Sequence, residues 1–265
     1  MSVLTPLSHA LAAVVAAAHA GLTSLGADPT SGLTWLLCVA AVVAVVRLAL
    51  LPLAVHGVRL AHASARARPQ LRELTERYRS QPGPIGLREF AEERRRISAE
   101  NRLPRGGALP LLIQVPIWLA LYHLMTAVAA GTAVGALSSG LVASLGAATL
   151  LGVPLAERGY LGGGLSHLAV VAGLAATAAT LSYVTQRYLV APNAVLDGVP
   201  DAVSRVQQMV PLISAVGLMV AGGVVPVALL VYWLCNGLWS LVQSAVIWRW
   251  FPTPGSPAAM RAARS

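Results

Sequence analysis

An apolar run from Leu33 to Val55 is broken by a single charge, Arg47. The run exceeds the ~20 residues a helix needs to cross the hydrocarbon core of a bilayer. In lipid a single segment satisfies its backbone hydrogen bonds only as a helix, so little else is open to it. The guanidinium costs at least ~2.5 kcal/mol at such a depth, where charges usually face a bundle interior or a wet cavity. Snorkelling is the plain alternative, because Val55 lies only eight residues on and the long side chain can reach partway to the interface. Position alone does not separate the two.

Composition makes the chain a polytopic membrane protein rather than a soluble domain. Of its 265 residues 56% are hydrophobic and 11% charged, and the mean hydropathy is +0.69. All 19 basic residues are Arg. Twelve of them, with six Glu, fall between Ala54 and Gly107, the one long polar stretch. That stretch has no zinc spacing and no RNA-binding fingerprint, so DNA is not an expected partner. A cytoplasmic loop obeying the positive-inside rule accounts for it more simply; contact with anionic lipid or ribosomal RNA stays open. Cys38 and Cys235 lie in different apolar segments and read as small packing residues. Residues 9–20 look like a short signal-peptide core, but no Arg or Lys precedes them, so an interfacial helix is expected instead.

Residues 108–156 carry no acidic residue, Lys or Arg and could hold one span or two. Charge counting decides between them. With five spans and 56–107 inside, Arg158 is the only basic residue outside. An extra span at about 133–156 would move Arg187, Arg205, Arg249, Arg261 and Arg264 outside, against the positive-inside rule. The expected fold is therefore an all-α membrane protein of five transmembrane helices, N-terminus out and C-terminus in, with a cytoplasmic helical hairpin between spans one and two. Its order is an external N-terminal segment at 1–32, span one at 33–55, the hairpin at 56–107, span two at 108–130 and an external loop at 131–164. Span three follows at 165–190, a cytoplasmic loop at 191–208, span four at 209–222, span five at 224–248 and a cytoplasmic tail at 249–265. Gly222-Gly223 and Pro226 mark the turn between the last two spans. Leu71, Leu74 and Tyr78, then Leu87, Phe90 and Ile97, recur at helical spacing on either side of Gln81-Pro82-Gly83-Pro84, which predicts the two arms of the hairpin.

The polar residues within the spans share one depth. Taken at about 1.5 Å per residue, Arg47, Gln114, Ser182, Thr185, Gln186, Asn236 and Gln243 mostly fall in the cytoplasmic half of the bilayer. Each amide alone could be ordinary interhelical glue. Several at one depth beside an arginine predict a hydrated cavity open to the cytoplasm and closed outside.

These residues sit in recognisable motifs. Span one ends Val46-Arg47-Leu48-Ala49-Leu50-Leu51-Pro52, and span two opens with Pro104-Arg105-Gly106-Gly107-Ala108-Leu109-Pro110, continuing through Gln114-Val115-Pro116-Ile117-Trp118 to Leu121-Tyr122. Met209-Val210-Pro211 opens span four, and Pro226 through Gln243 carries Tyr232-Trp233, Asn236 and Gln243. In order and spacing the chain resembles the YidC–Oxa–Alb family of membrane protein insertases over about residues 33–248. Leu103 stands where the family has Asn, and Ala108 where it has Cys. The short form of Gram-positive bacteria is the nearest match, without a large folded external domain. The tail from residue 249 has seventeen residues and three Arg, shorter than the basic tails with which some members meet the ribosome.

The resemblance implies an insertase of the bacterial plasma membrane, not an enzyme, that passes short polar tails through an inner-leaflet groove. Arg47, Gln114, Asn236 and Gln243 would line that groove. Thr185 and Gln186 compete for one position on span three, and Trp233 either lines the groove or packs between helices. Nascent membrane proteins and membrane lipids are the implied partners, with the ribosome and the general secretion translocon beyond them. No cofactor is expected: there is no Walker A motif, no phosphate-binding Gly loop and no metal spacing among the six His. A small-anion transporter would need paired ionisable residues along a path and repeat symmetry, which the sequence lacks. An intramembrane enzyme would need a catalytic pair within the spans. A folding or assembly factor that makes no use of Arg47 would share the same fold.

Overall fold

A computed structural model describes residues 4–79, 84–101, 109–161, 163–195 and 201–264. Among them helices dominate. In chain order they are α1 (Leu4–Ser24), α2 (Gly32–Ala49), α3 (Leu51–Arg79), α4 (Pro84–Glu100), α5 (Leu109–Ala129), α6 (Ser139–Ala147), α7 (Gly164–Val184), α8 (Asp201–Gly222), α9 (Val227–Trp250) and α10 (Pro257–Ala262). A π-helical turn, Thr185–Val190, and a 3₁₀ turn, Ala191–Asn193, follow α7 directly. The only sheet among the described residues is a two-stranded antiparallel hairpin, Thr149–Leu150 with Val153–Pro154.

Among the described residues five helical stretches are long and apolar enough to cross a membrane: Thr5–Ser24, Gly32–Ala49, Gly164–Asn193, Ser204–Gly222 and Val227–Trp250. Four match expected spans one, three, four and five. The other is the N-terminal helix, read from the sequence as interfacial; it lays Leu11, Ala12 and Val15 into the core beside α2 and α5. Expected span two is α5, an apolar helix of 21 residues in whose first half most side chains lie outside the described residues.

Span one ends earlier than its apolar run. Pro52 has no N–H to donate to Leu48, and the helix is interrupted at Leu50 before α3 resumes. The start of α2 is set by Ser31, whose Oγ accepts from Thr34 N at 3.1 Å. Helix α3 runs 29 residues into the polar stretch and pairs with α4. Tyr78 meets Phe90 edge-on at 6.0 Å, Leu74 is buried, and Asn101 Nδ2 donates to Gln70 Oε1 at 3.0 Å. Leu87, at helical spacing with Phe90, faces outward instead. Residues 80–83, which carry most of the expected break, lie outside the described residues.

The loop between α5 and α7 is a built cap. Ser138 caps α6, and the hairpin turns through Leu151 (φ 52°) and Gly152 (φ 84°), the paired positive φ of a tight hairpin turn. Leu137, Val142, Leu145, Val153 and Leu155 are buried in the main core. Trp35 Nε1 donates to Ser144 Oγ at 3.2 Å, while His19 stacks on the Trp35 ring at 4.5 Å. A Cβ on Gly32 would lie 2.0 Å from Thr149 O, so this approach needs glycine. At the start of α9, Val227 N donates to Glu157 O and Ala228 N to Leu155 O, both at 2.9 Å. The loop thereby supplies acceptors for N–H groups that a helix terminus leaves without intrahelical partners.

The core gathers at this capped end. The buried residues of α2 run from Thr34 to Val43, and those of α9 from Val227 to Tyr232. Beyond Val43 and Tyr232 neither helix has another buried residue.

Candidate functional site

Arg47 occupies the last turn of α2, where the helix's exposed carbonyls favour a cation. It is half-buried, just past the point where burial on α2 stops. Its guanidinium turns toward α9. Nε donates to Asn236 Oδ1 at 3.0 Å, Nη2 donates to the same oxygen at 2.8 Å, and Nη2 also donates to Ser240 Oγ at 2.7 Å. Asn236 and Ser240 stand four residues apart on α9 and so on one face of it. All three acceptor contacts come from neutral groups. Among the described residues Arg47 has no carboxylate within ion-pair distance, and Nη1 has no partner. The arrangement thus holds the cation in place by dipoles without cancelling its charge, leaving it able to attract an anion.

The other expected site residues divide. Gln243 accepts from Trp239 Nε1 at 3.0 Å, on the same helix as Asn236. Gln186 Nε2 donates to Ser182 Oγ at 3.1 Å, within its own helical segment. Thr185 is only 6% exposed, and its Oγ1 has no hydrogen-bond partner among the described residues. Trp233 packs half-buried against the core. The Gln114 side chain lies outside the described residues. So Arg47 and Asn236 are brought into contact; Gln243 lies further along α9, and Thr185 and Gln186 belong to the π-helical turn, which packs on α9.

Two features escaped the sequence reading. Ser240 is the second anchor of Arg47, and its only signal was the four-residue step from Asn236. The second is the apolar character of the groove: the one between α2–α3 and α9, of about 910 Å³, is bordered by Gln243 but not by Arg47 or Asn236. Its lining is mostly apolar, including Val43, Val55, Leu238 and Val242, with Gln243, Arg59 and His62 as polar members. No group of three or more metal-ligating side chains occurs among the described residues.

Apolar helices of membrane-spanning length, closed at one end by a packed loop and holding a neutral-caged arginine, define a multi-pass α-helical membrane protein. The chain belongs to the family described as 60Kd inner membrane protein, whose model matches residues 27–254. Three relatives, each called "Membrane protein insertase YidC", illustrate the match. The one from Streptomyces avermitilis is 30% identical over 242 residues, which are 88% of this chain and 55% of the relative. That from Bifidobacterium longum is 23% identical over 265 residues, covering 97% of this chain and 78% of the relative. That from Tropheryma whipplei strain Twist is 26% identical over 269 residues, covering 97% and 87%. The chain therefore spans about half the length of its Streptomyces relative and most of the other two.

Proposed function

We propose that this protein is a membrane protein insertase of the bacterial plasma membrane, acting as a chaperone for nascent membrane proteins and not as an enzyme. The observation that carries this is the Arg47 guanidinium, held by Asn236 and Ser240 where burial on α2 and α9 gives out. The distribution of Arg orients that end toward the cytoplasm, with the N-terminus out and the C-terminus in. A short polar tail would enter there, so only part of the ~30 Å of hydrocarbon remains dry.

Arg47 attracts a carboxylate on the tail. At 4 Å and an effective dielectric constant of about 20 such a pair gains roughly 4 kcal/mol before desolvation, enough to recruit and not enough to trap. Asn236 positions the guanidinium, while Gln114, Gln186 and Gln243 offer hydrogen bonds to the tail's backbone and Trp233 borders the path; of the two candidates on the π-helical turn, half-buried Gln186 fits that role better than buried Thr185. The inside-negative potential then favours outward movement of an acid by ~2.3 kcal/mol per 100 mV. The substrate's apolar segment leaves for lipid along the groove between α2 and α9, and its partitioning drives the remainder without nucleotide hydrolysis. The hairpin α3–α4 would be the first surface to meet the nascent chain, the ribosome or the translocon.

The test is rescue of a bacterium depleted of its own insertase by the wild-type protein and by Arg47→Ala, with membrane levels matched. Rescue by the wild type alone is expected. Equal rescue by both would leave a folding factor that does not use the charge; rescue by neither would remove the insertase function.

A further inference from the structure

A second basic site lies at the far end of the helices from the cap. The π-helical turn, a rare form often found at functional sites, brings Arg187 toward the start of α8. The chain after α9 folds back on the same region. Thr253 N donates to Asn193 Oδ1 at 3.3 Å, and buried Ser256 caps α10 through Ala259 N at 3.2 Å. This fold-back places the Arg261 guanidinium 4.6 Å from the centre of the Trp248 ring. Arg187, Arg261, Gln207 and Gln208 then share a pocket of about 620 Å³ floored by Pro211. Among the described residues neither guanidinium has a carboxylate within ion-pair distance; Asp197 and Asp201, the nearest acids in sequence, have side chains outside them.

Two Arg and two Gln side chains lining one pocket from three chain segments suit a phosphate, although the Gln208 amide also reaches Ser204 Oγ at 3.5 Å. The surroundings narrow the source. Gln208, Leu212, Val216 and Val220 follow one another at four-residue steps on α8, and the last three are exposed. Leu212, Val216 and Val220 with Ile213 and Gly217 edge a shallow furrow further along the same helix, beginning four residues after Gln208. Trp250 and Phe251, exposed at the end of α9, mark the level of a membrane–water interface. A free phosphate or an RNA backbone would leave the furrow bare, whereas a phospholipid fills both parts.

We propose that this pocket binds the headgroup phosphate of one anionic phospholipid, whose acyl chain lies along α8. The site is separate from Arg47, and its test needs no insertion. Full-length protein in neutral detergent is titrated with phosphatidylglycerol, phosphatidylcholine of the same chains, inorganic phosphate or a short RNA, and retained ligand is counted by native mass spectrometry. One phosphatidylglycerol should be held about tenfold more tightly than phosphatidylcholine, the scale expected of basic residues at a membrane surface. Arg187→Gln with Arg261→Gln should bring it to the phosphatidylcholine level. Arg94→Gln with Arg95→Gln removes the same charge from exposed positions on α4 and should change nothing. Equal retention of the two lipids by the wild type overturns the proposal, as does equal loss in the α4 variant. So does inorganic phosphate or RNA bound as tightly as phosphatidylglycerol.

Discussion

The two ends of helix α9 are built on opposite terms. At its start, every residue from Val227 to Tyr232 is buried, and the first N–H groups are taken up by carbonyls of the loop at 155–157. From Trp233 onward nothing is buried, and the polar groups of the helix reach for Arg47 or for each other. Helix α2 shows the same division, packed through Val43 and open beyond it. One end is held by shape; the other is held by a few directional contacts. In a bilayer this separation matters because lipid offers helices no hydrophobic reason to associate, so packing and hydrogen bonds carry the whole load.

The sharpest way to break the comparison is at the packed end. Trp35→Ala removes a fully buried ring together with its hydrogen bond to Ser144 and its stack on His19. A loss of about 3–5 kcal/mol is expected, read as a large drop in melting temperature in detergent or nanodiscs. Next comes one substitution made twice on one helix. Leu229 is 0% exposed and Leu238 49% exposed, nine residues further along α9. Leu229→Ala should cost roughly 2–5 kcal/mol and Leu238→Ala well under half of that. Similar costs at both would end the distinction between a packed and an open half.

A third change probes the hydrogen bonds themselves. Asn236→Leu removes one acceptor of two Arg47 donors and leaves Ser240, so stability should fall by about 1 kcal/mol while rescue of an insertase-depleted strain falls much further. A matched loss of both would make Arg47 a structural strut. The smallest effect lies in the turn before α2. Asp28 Oδ1 accepts from Thr30 N at 2.8 Å and from Thr30 Oγ1 at 2.7 Å, which holds its carboxyl below the ordinary 3.8. A lowered folded-state value means the contribution is complete above the unfolded value and fades as pH falls below it. Melting should therefore drop slightly between about pH 5 and about pH 3, and Asp28→Asn should lose that increment.

What was legible in the sequence was what lipid demands. Long apolar runs must become helices, so four of the five stretches of spanning length were visible as composition, and Arg47 stood out as the Arg lying well inside such a run rather than near its end. Shared depth placed Asn236 in the same group as Arg47, but their contact came only from the packing of α2 on α9. The rest depended on local geometry that composition hides. Pro52 interrupts a run that hydropathy treats as continuous. The loop at 131–164 looked like a plain connection, charged only at Glu157 and Arg158; its order comes from Ser138 as a cap, Gly152 in the turn and Gly32 making room for Thr149. Ser240 is invisible as a partner because serine is common in membrane helices and only the facing residue gives it a role. The π-helical turn has no sequence signature, and the packing of α1 on α2 and α5 depends on neighbours that residues 9–20 do not reveal.

The loop that seals α9 also sets an order of biogenesis. The carbonyls of Leu155 and Glu157 are synthesised some seventy residues before Val227 and Ala228, the groups that pair with them. Until the last long helix emerges, the lid over the packed end is a lock without its bolt. A chain stalled before Pro226 therefore leaves that end unsealed, and quality control reading exposed backbone there would distinguish a finished molecule from a truncated one.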